Sequence, residues 1–175
     1  LITSVPKKIT VFVEESNKTT IFDTINKTSV SLFEENSNFT LVQQFIQFLT
    51  GYTNSDKTFA LTIFNELHSD DKKYGLGSSG AVLVAIARAI LSFENIPYNN
   101  LTIFKLVALF NIKHNLSGSM GDVAASINDG ITFYQKFNAE FVNEMIRQDK
   151  TVKEIINTNW DGLLIEKIHP KADLS

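Results

Sequence analysis

The stretch Gly75-Leu76-Gly77-Ser78-Ser79-Gly80 runs straight into Ala81-Val82-Leu83-Val84-Ala85-Ile86-Ala87, and its reading decides the rest of the chain. From Ser79 to Phe93 the residues are small and apolar nearly all round. A helix without a polar face belongs inside a domain. The glycines ahead of it let backbone N–H groups approach an anion closely, and a helix N-terminus adds partial positive charge. Ser78 and Ser79 offer hydroxyls to a phosphate oxygen or a magnesium ion. Lys72 and Lys73 stand just upstream. On the residues alone two readings stay open: a phosphate cradle, or a glycine-rich cap with two capping serines on a core helix.

The same string satisfies G-x-G-x-x-G, but a dinucleotide fold needs a strand directly before the glycines and an acid ending the next strand. Here the polar segment His68 to Tyr74 intervenes, and Glu94 falls at a helix end. A Walker A loop fails too, because no Lys-Ser or Lys-Thr follows the glycines.

Upstream, Lys8 to Glu15 alternates with Ile9, Val11 and Val13 on one side, the pattern of a half-buried strand. Thr19 to Ile25 and Ser29 to Glu34 read as short strands, and Lys57 to Leu67 as another. Thr40 is placed to cap a helix with an apolar face of Val42, Phe45, Ile46 and Leu49, stopped by Gly51. Downstream, Asn100 is expected to cap a helix running to about His114. A strand at Ile131 to Lys136, helices at Asn138 to Gln148 and Val152 to Ile156, and an extended end at Trp160 to Ile168 follow. Strands first and helices later suggest an α+β domain with helices on one face of a sheet.

Composition narrows the function. The chain has 175 residues, is 43% hydrophobic and carries a net charge of −3, so it can bury a core and lacks the basic balance of a nucleic-acid or anionic-membrane binder. No cysteine is present, which removes disulfides, cysteine-zinc sites and thiol nucleophiles. His68, His114 and His169 form no i,i+4 pair, so no metal site is expected from them. Trp160 is expected as a core anchor, and His114 as a helix-end residue facing the dipole. A cytoplasmic location is the default expectation, with no membrane partner.

A second glycine turn, Ser117-Gly118-Ser119-Met120-Gly121-Asp122, precedes the small-residue run Val123-Ala124-Ala125-Ser126. An acid between a flexible turn and an apolar segment is expected to be held and partly desolvated, as a proton acceptor or orienting carboxylate should be. Taken alone, Asp122 reads better as a helix cap, which is common. Together with the first turn, it supplies the parts of a phosphoryl transferase.

At this point the residues resemble a family. Lys73 to Gly80 is similar to a signature of the GHMP kinases. Gly118-Ser119-Met120-Gly121-Asp122-Val123-Ala124-Ala125-Ser126, the strand Ile131-Thr132-Phe133-Tyr134, and Asn159-Trp160 leading to Ile168-His169-Pro170 resemble the phosphomevalonate kinases among them. The resemblance implies the amino-terminal half of such a kinase, an α+β fold like ribosomal protein S5 domain 2, with helices on one face of a mixed sheet and a left-handed β-α-β crossover. It implies ATP and Mg2+ as cofactors and phosphomevalonate as the substrate converted to the diphosphate. By the same resemblance, Gly75, Leu76, Gly77, Ser78, Ser79 and Gly80 wrap the ATP phosphates, with Ser79 touching magnesium. Asp122 becomes the catalytic carboxylate, and Gly118 and Ser119 line the substrate side. Mevalonate kinases carry a magnesium-binding glutamate on the helix before the second turn, and Thr102 to His114 contain no acid. Another GHMP small-molecule kinase, such as a mevalonate kinase, and a non-catalytic S5-like binding domain remain the alternatives.

The resemblance also implies that residues 1–158 are the ATP-binding domain, incomplete at its start, and that 159–175 begin a carboxy-terminal domain. On that expectation the 175 residues alone are inactive, because a lysine-bearing motif and the second half of the family's length are missing.

Overall fold

A computed structural model describes residues 1–3, 8–65, 80–116 and 118–171. Four strands form one mixed sheet. They are β2 (Ile9–Glu15), β3 (Thr20–Asp23), β4 (Thr28–Ser31) and β5 (Phe59–Asn65), in the order β2-β5-β3-β4. Alternation determines its two faces. Val11 faces Ile63 in register, Val13 faces Leu61, and Ile21 lies between Leu61 and Val30, all on the covered side. Phe12, Phe22 and Phe64 point the other way and remain exposed, with Phe12 and Phe64 edge to face at 5.5 Å. Such one-sided burial is what period-two alternation produces.

Strands β3 and β5 run parallel, which requires a crossover, and α1 (Thr40–Thr53) is part of it. The β3–β4 hairpin turns on Asp23, whose buried carboxylate accepts the Ile25 N–H at 3.0 Å and the Asn26 amide at 2.6 Å. Helix α2 (Gly80–Phe93) lies against β2 and α1 among other elements, burying Val82, Leu83, Val84, Ile86, Ala87, Ile90 and Leu91. Helix α3 (Asn100–Lys113) is enclosed further, with every residue from Ile103 to Phe110 buried. The expectation of helices over one face of a mixed sheet therefore holds.

A second, three-stranded antiparallel sheet stands beside the first. Its order is β1 (Ile2–Thr3), β6 (Ile131–Gln135), β7 (Leu164–Ile168). Between β6 and β7 come α5 (Ala139–Arg147), capped by the Asn138 side chain, and α6 (Val152–Asn157). Thr151 and Glu154 close a reciprocal capping box on α6. Lys105 of α3 reaches α6 and donates to the carbonyls of Ile156 and Thr158 at 3.3 and 2.8 Å. No helix among the described residues is long and apolar enough to cross a membrane.

Four local expectations are corrected. Gly51 does not stop α1; its position is exposed and sterically open, and the helix ends at Asn54, which takes the left-handed conformation at φ 51°. Thr40 is the first helical residue and caps nothing; Phe39 precedes it without a side-chain cap bond. The cap of α3 is Asn99, whose side chain accepts from the Thr102 N–H at 2.8 Å, while Asn100 bonds to Arg88 and Asn128 instead. Only 164–168 of the carboxy-terminal stretch is strand. Trp160 is buried in a turn, its Nε1 donating to Ile155 O at 3.0 Å, as a core anchor does.

Candidate functional site

The second glycine turn reaches the start of α2 at Gly80, the one residue of the first glycine motif among the described residues. Helix α4 (Gly121–Ile127) packs against α2, held there by Val123, Ala124, Ala125 and Ile127, all buried. Small residues let the two helices come close. At their nearest point the Gly80 N–H donates to Asp122 Oδ2 at 2.9 Å. A carboxylate at a helix N-terminus is stabilised by the unpaired N–H groups and the dipole. Gly80 is required by this approach: a Cβ there would lie 2.6 Å from Val123 Cγ2 and 2.7 Å from Asp122 Oδ2.

Of the expected site residues, Gly80, Gly118, Ser119 and Asp122 fall within the described part, whereas Gly75, Leu76, Gly77, Ser78 and Ser79 lie outside it. Asp122 is held, as its position in the sequence suggests, but it is exposed rather than partly desolvated. It sits in the first turn of α4, with Gly121 before it. Ser119 Oγ accepts the Gly121 N–H at 3.2 Å, and Ser126 Oγ donates to Asp122 O at 2.7 Å. Met120 adopts φ 62°, the left-handed conformation that a non-glycine residue rarely takes. Its buried side chain anchors the turn, with Asn111 Nδ2 donating to Sδ at 3.1 Å.

Tyr134 of β6 and Lys136 just beyond it supply two groups to which the sequence analysis gave no role in the site. The Tyr134 hydroxyl donates to Ser119 O at 2.6 Å, and Lys136 Nζ donates to Gly118 O at 3.0 Å. Burial, with the Asp122 charge as the smaller cause, pushes the Tyr134 phenol up to about 12. Strand alternation already placed residues 134 and 136 on one face. Nothing in the sequence said what that face would touch.

Magnesium bound with a nucleotide uses one or two protein oxygens plus phosphate oxygens, and needs no all-protein cage. The exposed Asp122 carboxylate at the α2 N-terminus is a protein oxygen of the kind such an ion uses; among the described residues no group of three or more His, Cys, Asp or Glu could hold a metal. His114 lies apart from this, at the end of α3 with Nδ1 3.0 Å from the Phe110 carbonyl.

The class of the protein follows from this arrangement, a helix beginning at Gly80 met by an acid from a glycine turn, taken with the relatives of the chain. The sequence profile described as GHMP kinases N terminal domain matches residues 40–130. The chain belongs to the GHMP kinase family through this domain. It is 34% identical over 111 residues to a phosphomevalonate kinase of Streptomyces sp. (strain CL190), covering 62% of this chain and 29% of that protein. Among solved structures, it is similar to Streptococcus pneumoniae phosphomevalonate kinase in complex with phosphomevalonate and AMPPNP. The TM-score is 0.80 at 25% identity, over 92% of this chain and 49% of that one. A Lin0012 protein from Listeria innocua superposes with a TM-score of 0.82 at 27% identity, over 96% of this chain and 50% of that one. The chain thus spans half or less of the length of these relatives.

Proposed function

We propose that this chain is the ATP-binding half of a kinase that transfers the γ-phosphoryl group of ATP to 5-phosphomevalonate, giving the diphosphate. The observation that carries the reading is the 2.9 Å bond between Gly80 N–H and Asp122 Oδ2. It joins the end of the nucleotide motif to the acid of the substrate-side motif. Support comes from the relatives named phosphomevalonate kinase, one of them solved with that substrate and an ATP analogue.

In this reading Gly75 to Gly80 hold the ATP phosphates through backbone N–H groups at the start of α2. Ser79 is the side chain that would contact magnesium, which supplies charge neutralisation to the phosphates when bound. Gly118 and Ser119 line the acceptor side. Asp122 orients the accepting phosphate, and takes the proton of any acceptor that arrives singly ionised; a phosphate monoester loses its second proton near pH 6, on the order of the ordinary value. Phosphoryl transfer asks mainly for alignment and electrostatic stabilisation, so groups spread over several segments act together. In the same reading residues 1–158 serve as the nucleotide half.

The test is ADP release by the complete protein carrying this chain, with product identified by phosphorus NMR. Phosphomevalonate should support turnover and yield a diphosphate. Turnover with mevalonate alone would reject the reading in favour of a mevalonate kinase.

A further inference from the structure

We propose that Tyr134 is a positioning residue for Asp122, its hydroxyl pinning the 118–121 turn so that the carboxylate is presented at the start of α2. The inference rests on the role given to Asp122 above. It adds a residue that acts through the turn, not on the substrate.

Three features make Tyr134 suited to this. Its own place is fixed first. It lies opposite Ile165 in the β6–β7 ladder, and its ring packs against Phe104 of α3 at 5.7 Å. A donor mounted on a paired strand and a buried helix moves little. Second, the bond is short and directed at backbone: Oη to Ser119 O is 2.6 Å. Ser119 immediately precedes Met120, the residue held at φ 62°. A left-handed non-glycine residue persists only where its surroundings over-determine it; the Tyr134 bond holds the carbonyl of the residue before Met120, and the Asn111 bond holds Met120's own sulfur. Third, the phenol keeps its proton. Burial and the neighbouring Asp122 charge hold its ionisation up to about 12, so Tyr134 remains a donor through the neutral range.

Lys136, one residue past the end of β6, adds a second tie, donating to Gly118 O at 3.0 Å. It is exposed, so water competes for its ammonium and its hold is the weaker of the two. Two residues beyond Met120 stands Asp122. A shift of about 1 Å in a reacting geometry costs up to about 10²-fold in rate. Holding the turn is therefore the means by which Tyr134 contributes.

The experiment is Tyr134→Phe in the complete protein, which removes the hydroxyl and leaves the ring against Phe104. Two readouts are taken. Amide hydrogen exchange is followed at Gly121 and Ala124, which bond to Ser119 Oγ and Met120 O. Steady-state kinetics are measured with ATP and phosphomevalonate. The expected result is exchange faster by about 10-fold in this turn with α3 and β7 unchanged, and kcat lower by about 10-fold with KM for ATP within about 2-fold. Unchanged exchange and kcat overturn the proposal. So does faster exchange spread through α3 and β7, which would mark Tyr134 as a general core residue. If the wild-type protein does not use phosphomevalonate, the substrate reading fails, while the exchange arm still decides whether Tyr134 holds the turn. If Tyr134→Phe does not fold, Lys136→Met decides in its place. Faster exchange confined to the same turn supports the strand as its clamp, and unchanged exchange overturns it.

Discussion

Gly80 and Asp122 are 42 residues apart in sequence and bonded at 2.9 Å, N–H to carboxylate. This contact ties the first residue of α2 to the first turn of α4. Both its partners are constrained. Gly80 has no room for a side chain, and Asp122 is carried by the first turn of a helix whose inner face is buried.

Gly80→Ala tests the steric half of that relationship. Helix propensity alone would favour alanine by about 1 kcal/mol. Against it, the new methyl would meet Val123 Cγ2 at 2.6 Å and displace the Asp122 carboxylate. We predict net destabilisation of about 1–3 kcal/mol, the range for overpacking, read from urea unfolding. An alanine variant as stable as the wild type would mean that α2 and α4 separate without strain.

Gly51→Ala should act in the opposite direction. The position is inside α1, exposed, and open, with nothing within 4 Å of an added Cβ. Removing the backbone freedom of glycine is expected to stabilise the chain by about 0.5–1 kcal/mol. A lowered urea midpoint would contradict the continuation of α1 to Thr53.

Lys105 gives a pH test. It is buried in α3, and burial lowers its pKa from the ordinary 10.5. A base with a lowered folded pKa holds fewer protons folded than unfolded in the window just below 10.5, so stability rises with pH there. Lys105→Met abolishes that rise and strands the carbonyls of Ile156 and Thr158. We predict a loss of about 1–3 kcal/mol at pH 7, the cost of unsatisfied acceptors, and a wild-type advantage that widens toward pH 10.5. Urea midpoints at two pH values measure both, and a constant gap would refute the pH dependence.

The limits of sequence reading follow from the same residues. Helix α2 was legible because its residues are apolar on nearly every side, a pattern that belongs to a central helix. The strands were legible where Ile9, Val11 and Val13 alternate. The end of α1 was misplaced because glycine weakens a helix by only about 1 kcal/mol, less than the buried face of Val42, Phe45 and Leu49 contributes. At Asn99-Asn100 either residue can cap, and the packing of Asn100 against Arg88 and Asn128 decides which does. Asp122 was visible as a motif residue. Its bond to Gly80 and the Tyr134 bond to Ser119 O were not, since periodicity assigns a face and never the partner across 42 or 15 residues.

The most direct test of the account is Asp122→Asn in the complete protein. Asparagine keeps an oxygen that can accept the Gly80 N–H and removes the charge. The account predicts kcat lower by about 10²-fold or more, with modest change in KM for ATP and nearly unchanged thermal stability. Near-normal turnover together with a lowered melting temperature would show instead that Asp122 only ties α4 to the start of α2.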